Sequence, residues 1–83
     1  MMNADPFATI IEGHLDHVSY FNAETHYTIA KIKTPGVENP VTVVGFMAAV
    51  SPGESLKISG SWETHPRYGQ QLRIKTYEVT LPG

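Results

Sequence analysis

The segment WETHPRYGQQLRIKTYEV, residues 62–79, brings together residue types that bind nucleic acids. Aromatic side chains can stack on bases, and cationic side chains can neutralise phosphates. Pro66 and Gly69 lie between two runs of alternating polarity, so the segment predicts a β-hairpin. Such a hairpin could grip a nucleic acid strand, or it could serve only to close a small barrel. The residues alone leave both interpretations open.

Candidate contacts to nucleic acid come from the outward positions of the predicted strands and from the hairpin turn. All Lys and Arg residues lie between positions 31 and 75, whereas the first thirty residues contain four acidic residues and no Lys or Arg. The candidates are Lys31, Lys33, Lys57, Arg67, Tyr68, Arg73 and Lys75. The net charge of −2 argues against strong nonspecific binding, because such binding depends on neutralised phosphates. We therefore expect a moderate affinity at most.

Packing in the core is the competing interpretation for the aromatic residues. Trp62 has the same strand phase as Leu56 and Ile58, so we predict that it is a core or rim residue that closes the barrel and anchors the hairpin, with core packing favoured over base stacking. The same packing role is predicted for Tyr27, Phe46 and Tyr77. Tyr68 stands beside Gly69 in the turn, where packing is hard to arrange, so packing and stacking remain equally open for it.

The turn from His65 to Gln71 is expected to be tight and ordered. Pro66 presets its own φ, Gly69 can adopt a positive φ, and His65 is expected to hydrogen-bond the turn backbone. Arg67 and Tyr68 would then project from the tip. The residues assigned to this structural motif are Trp62, His65, Pro66, Gly69 and Gln71.

Known catalytic motifs are missing from the sequence. It contains no phosphate-binding G-x-x-x-x-G-K-[ST], no G-x-S-x-G and no H-E-x-x-H. Without Cys, it can form neither a disulfide nor a thiolate metal site. His14 and His17 would face opposite sides of a regular strand, so we interpret them as solvent-exposed residues. We predict no enzymatic activity, no cofactor and no metal ion for this segment.

Alternation with a period of two predicts five strands, near residues 11–20, 26–34, 41–46, 55–63 and 71–81. Phase slips after Leu15 and near Tyr77 indicate bulges, with Val18 and Tyr20 as the next inward pair of the first strand. The segment MAAV, residues 47–50, allows at most one short helix between strands three and four. This pattern predicts an all-β, five-stranded OB-fold-like barrel, with an SH3-like barrel as the competing topology.

Residues that favour turns lie between the predicted strands. The first connection contains Asn22, and the second contains Pro35-Gly36. Pro52 and Gly53 suit the second and third positions of a type II turn.

One domain accounts for the whole sequence. We predict a flexible N-terminus over residues 1–7 and the barrel over residues 8–83. The chain stops directly after the last predicted strand, so we expect it to be one domain of a longer protein. No apolar run approaches the ~20 residues that span a bilayer, and the lack of Cys fits a cytoplasmic location.

Three stretches of the sequence resemble one known family. They are EGHLDHVSYFNAETHYTIAKIK, VTVVGFMAAVSPGESLKISGSW and THPRYGQQLRIKTYE. The most specific parts are TVVG at residues 42–45, PGE at 52–54 and the pattern G-x-W-x-x-H-P-x-Y-G-x-Q at 60–71. Across these stretches the chain resembles the N-terminal domain of bacterial RecD-like ATP-dependent DNA helicases, a family also known as the alpha subunit of exodeoxyribonuclease V.

The resemblance implies an OB-like barrel that precedes a helical linker and two RecA-like motor domains. ATP and Mg²⁺ would be bound only by those motor domains, whose motifs this chain lacks. We therefore expect a non-catalytic OB-fold domain that contacts single-stranded DNA in DNA recombination and repair. The alternative is a protein–protein or interdomain docking module without direct DNA binding, whose partner would be the motor domains or a repair protein.

Overall fold

Runs rich in β-branched residues form the strands of the computed structural model, which describes residues 8–48 and 50–80. The strands are β1 (Thr9–Phe21), β2 (Tyr27–Lys33), β3 (Val41–Phe46), β4 (Ser55–His65) and β5 (Gly69–Thr80). No helix occurs within the described ranges. Residues 1–7, predicted to be flexible, and Ala49, in the predicted helical turn, lie outside them.

The strand order decides between the two predicted barrel topologies. The strands close in the order β1-β2-β3-β5-β4, with β4 returning to pair with β1. All neighbours are antiparallel except β3 and β5, whose parallel pairing extends over only two register pairs. This crossed order is that of the OB-fold rather than of an SH3-like barrel, so the predicted all-β OB-fold is confirmed.

Strand β1 curves strongly because it pairs first with β4 and then with β2. It pairs with β4 over residues 9–14 and with β2 over residues 14–21. Gly13 lies at this transition, where an added Cβ would overlap the carbonyl oxygen of Lys33. Register shifts at Asp16 and Ser19 in β1 and at Lys75 in β5 confirm both predicted phase slips as bulges.

The predicted turn residues occupy the conformations that their chemistry favours. Gly53 has φ +92°, and the Glu54 N–H donates to the Ser51 carbonyl over 3.1 Å, which confirms the predicted type II turn. In the first connection, the Asn22 side-chain oxygen accepts the backbone N–H groups of Glu24 and Thr25 over 2.8 and 3.1 Å. These bonds confirm the role predicted for Asn22.

The core consists of aliphatic side chains from every strand. Its fully buried members are Leu15, Ala30, Ile32, Val43, Leu56, Ile58 and Leu72. Ile74 and Tyr77 pack against this cluster, and the Tyr77 hydroxyl accepts the backbone N–H of Ala48 over 3.0 Å. The packing role predicted for Tyr77 is therefore confirmed.

Trp62 does not belong to this core, so the predicted core position of its indole is wrong, and the residue takes the alternative position at the rim. It lies opposite the buried Leu72 in the register, which means that its inward phase was correct. However, 43% of the residue is exposed, because the described pairing of β1 with β4 ends at Gly60 and Trp62 lies beyond it. Alternation along a strand reports which face a side chain takes, but it does not report where the neighbouring strand stops.

Two further aromatic residues contradict the predicted packing. Phe46 is 64% exposed at the end of β3, and Tyr20 is 48% exposed near the end of β1. The bulge at Ser19 changes the phase of β1, so that Val18 packs against the core and Tyr20 turns away from it. The Tyr20 ring lines the groove described next, and the Phe46 ring contacts Tyr27 of that groove.

Candidate nucleic-acid interface

An open groove of about 800 Å³ lies between the outer face of β2 and β3 and the tip of the β4–β5 hairpin. One side is lined by Ser19, Tyr20, Tyr27, Ile29, Lys31, Thr42 and Val44, and the other by Glu63, Thr64, His65, Pro66, Tyr68, Gln71 and Arg73. The groove follows from the topology, because β3 and β5 pair only at Val43–Leu72 and Val44–Arg73. Beyond these pairs, the hairpin separates from the sheet.

Three rings form an aromatic row along the sheet: Tyr20 and Tyr27, which line the groove, and Phe46, which continues the row beyond the groove lining. The centroids of Tyr20 and Tyr27 are 6.5 Å apart, and those of Tyr27 and Phe46 are 5.4 Å apart in an edge-to-face arrangement. Tyr27 is half-buried between its more exposed neighbours. The row therefore combines fixed ring positions with open faces on which a planar group can stack.

The hairpin tip presents Tyr68 from the other side, and 73% of this residue is exposed. The His65 Nδ1 accepts the backbone N–H groups of Arg67 and Tyr68 over 3.0 and 3.2 Å. The His65 ring also packs against the Tyr68 ring, with centroids 4.8 Å apart. Gly69 closes the turn with φ +86°. These contacts confirm the predicted ordered turn, the bond from the turn backbone to His65 and the projection of Arg67 and Tyr68.

A polar network occupies the hairpin side of the groove. The two Glu63 carboxylate oxygens accept Nε and Nη2 of Arg73 over 3.2 and 2.9 Å, and Gln71 donates its amide to the same carboxylate over 2.7 Å. The bonds from Arg73 and Gln71 hold the pKa of Glu63 below its ordinary value. The pKa of Arg73 is raised, chiefly by Glu63 and further by a hydrogen bond with the Tyr27 hydroxyl. Gln71, predicted to be structural, is buried, and its amide fixes the Glu63 carboxylate by a hydrogen bond.

The groove gathers three of the seven predicted binding residues: Lys31, Tyr68 and Arg73. Lys31 lies on the outer face of β2 and donates its ammonium to the Thr42 hydroxyl of β3. Arg67 stands at the hairpin tip, with its guanidinium 5.9 Å from the Tyr68 ring centroid. Lys33 continues the outward row of β2 two residues past Lys31 and is exposed beyond the groove lining.

The remaining two predicted cations lie elsewhere. Lys57 lines a separate, smaller cavity of about 250 Å³ between residues of β1, β4 and β5. Its register partners there are Glu12 of β1 and Glu78 of β5. Lys75 stands at the β5 bulge and lines neither cavity. The outward phase of each strand was correct, but closure turns the outer faces of β2 and β4 to different sides of the molecule.

Sequence reasoning missed the aromatic row, although one signal for it was present. Tyr27 and Ile29 share the strand phase of Lys31 and Lys33, which were predicted to face outward. The same assignment therefore places the Tyr27 ring outside the core. Phe46 is the register partner of Tyr27, and it lies on the same outer face because paired residues of neighbouring strands share a face.

The described ranges contain no group of three His, Cys, Asp or Glu side chains that could hold a metal ion. They also contain no helix long and apolar enough to cross a membrane.

Comparison with known families agrees with this geometry. A model of the OB-fold domain of the ATP-dependent DNA helicase YrrC matches residues 8–82, which is nearly the whole chain. The match includes every strand and the whole lining of the groove. It is also consistent with the resemblance to the N-terminal OB-like domain of a RecD-like helicase. The chain therefore belongs to the family of OB-fold domains of the ATP-dependent DNA helicase YrrC.

Proposed function

We propose that the groove binds single-stranded DNA for a RecD-like helicase that acts in DNA recombination and repair. The observation that carries the proposal is that one open groove is lined by two rings of the aromatic row, Tyr20 and Tyr27, and by Tyr68 and Lys31. Rings on both sides can stack with bases, and an ammonium between them can neutralise a phosphate. The outer face of strands two and three, together with the loops beside it, is where OB-folds hold oligonucleotides.

The chemistry of the groove favours a single strand over a duplex. Its rings can stack only with bases whose faces are accessible, and a duplex keeps those faces against neighbouring base pairs. The few cations around it would give modest affinity with a clear dependence on salt. Stacking accepts any base, so binding without strong sequence preference is expected.

The domain itself would hold the strand without catalysing a reaction. Binding of ATP and Mg²⁺, together with strand separation, would belong to motor domains of the parent helicase. A cytoplasmic location remains a prediction from the sequence.

The proposal is tested by titrating a fluorescein-labelled oligothymidylate and following its anisotropy at several salt concentrations. Lys31→Ala removes one phosphate contact, so affinity falls about eightfold at ~50 mM salt and the log–log salt slope becomes shallower by about 0.7. Lys57→Ala is the matched control, because it removes the same charge from the separate, smaller cavity. It should leave both quantities close to the wild-type values.

Tyr68 provides a second test of the same groove. Tyr68→Ala should weaken binding by roughly 1–3 kcal/mol, which is the usual contribution of one stacked base, while Tyr68→Phe should retain most of the affinity. The exposure of the ring predicts little change in folding for either variant. No binding at high micromolar protein in low salt, or equal effects of Lys31→Ala and Lys57→Ala, would refute the proposal.

Docking to another protein or domain is the second candidate function. The observation that favours it is the pairing of Arg73 with Glu63, which neutralises a cation inside the groove, together with the net charge of −2. NMR shift mapping separates the two functions. Shifts at Tyr68 and Lys31 that appear with the helicase motor domains but never with DNA would favour docking.

A further inference from the structure

Glu63 is the only acidic side chain among the described residues that line the groove. It lies near the end of β4, opposite Gln71 in the register. A carboxylate is an unusual element in a surface that receives phosphates, because it repels them. Here it accepts three hydrogen bonds, two from Arg73 and one from Gln71.

The geometry of the Glu63–Arg73 ion pair determines which N–H groups of Arg73 can bind a ligand. A guanidinium binds phosphate best through two parallel N–H groups on one edge. Glu63 occupies such an edge, since its two oxygens accept Nε and Nη2 of Arg73. The Tyr27 hydroxyl also contributes to the raised pKa of the same guanidinium. Arg73 is thus directed at groups of the protein, although it lies on the groove wall.

We infer that Glu63 is a positioning residue that limits the affinity of the groove for single-stranded DNA by keeping Arg73 from phosphate. The inference rests on the proposed function of the groove and names the contact that regulates it. Lys31 donates its ammonium to the neutral Thr42 hydroxyl, and it then provides the phosphate contact within the groove. Release of Arg73 would add a second phosphate contact at the opposite wall.

The test compares Glu63→Gln with the wild-type domain in the same anisotropy titration. The substitution keeps the size of the side chain and removes the charge that fixes Arg73. One added phosphate contact should raise affinity about eightfold at ~50 mM salt and steepen the salt slope by about 0.7. Glu12→Gln is the control, because it changes the net charge equally from the β1 position that pairs with Lys57. It should change neither quantity.

A double variant distinguishes release of Arg73 from simple loss of repulsion. Arg73→Ala alone leaves the Glu63 carboxylate without its cation in the groove and should weaken binding. The gain of Glu63→Gln over the wild type should disappear in the Glu63→Gln/Arg73→Ala protein. A gain that persists in the double variant would overturn the inference, and so would a Glu63→Gln protein that binds like the wild type. Circular dichroism checks that each variant is folded.

The outcome separates this inference from the proposed function. Wild-type binding that depends on Lys31, combined with no gain in Glu63→Gln, contradicts the inference alone. Absence of binding by both the wild-type and the Glu63→Gln protein contradicts both.

Discussion

Gly60→Ala is the substitution that most directly tests how the fold builds the groove. An added Cβ at Gly60 would overlap the carbonyl oxygen of Arg73 on the adjacent strand. The overlap is with backbone, so no rotation of a side chain can relieve it, and β4 and β5 must move apart. Gly60 also marks the last register pair of β4 with β1, beyond which the hairpin extends along the groove.

The type of clash determines how much stability Gly60→Ala should lose. Overpacking usually costs about 1–3 kcal/mol, and we expect about 3 kcal/mol for a clash between two backbones. An 83-residue domain has roughly 4–12 kcal/mol of stability in total, so a large part would be lost. Displacement of the Arg73 backbone would also disturb its pairing with Glu63.

Urea unfolding followed by far-UV circular dichroism measures this loss. Gly36→Ala is the control, because Gly36 has φ +83° and no atom within 4 Å of an added Cβ. It isolates the conformational cost of a positive φ, about 1–2 kcal/mol. If Gly60→Ala is no less stable than Gly36→Ala, the close approach of β4 to Arg73 is wrong, and the position of the groove wall becomes doubtful with it.

Two further predictions concern Trp62 and Glu63. Trp62→Ala should lower the free energy of unfolding by about 1–2 kcal/mol, which is less than the ~3–5 kcal/mol of a buried Trp, because part of the residue is already exposed to water. Urea unfolding measures this loss. The larger loss would contradict the exposed position of Trp62. The lowered pKa of Glu63 means that its pairing contributes stability above the unfolded-state pKa and that this contribution is lost as pH falls through the folded-state pKa. The small stability difference between the wild-type protein and Glu63→Gln should therefore shrink in acid, and a difference that stays constant with pH would contradict the effect of Arg73 on Glu63.

Local chemistry explains why much of the fold could be predicted. β3 has the predicted bounds, because its β-branched run is enclosed by Pro40 and by the change at Met47. The His65 turn could be predicted because all of its contacts lie within a few residues of sequence. Such features depend on neighbours along the chain and not on the closure of the barrel.

The errors concern features that closure decides. Trp62 has the inward phase, but its burial depends on where the pairing of β1 ends, some fifty residues away in sequence. Tyr20 depends on a bulge whose position the alternation locates only approximately. Lys57 and Lys31 are both outward-facing, yet the return of β4 to β1 places them on different sides. In each case the sequence determines on which face of its strand a side chain lies. The order of the strands determines which residues that side chain contacts.

The same crossed order explains why the groove lies where it does. A ladder between β3 and β5 that continued toward the hairpin tip would draw the hairpin against the sheet, but in that direction the parallel pairing ends at Val43–Leu72. Arg73 is the next residue of β5, and its bonds with Glu63 lie within the hairpin, at the wall of the groove. A guanidinium at such a junction can stabilise the wall of the groove or bind a phosphate within it, but the edge held by Glu63 cannot serve both purposes at once. We therefore expect the affinity of the groove for a charged strand to depend on the contact between Glu63 and Arg73.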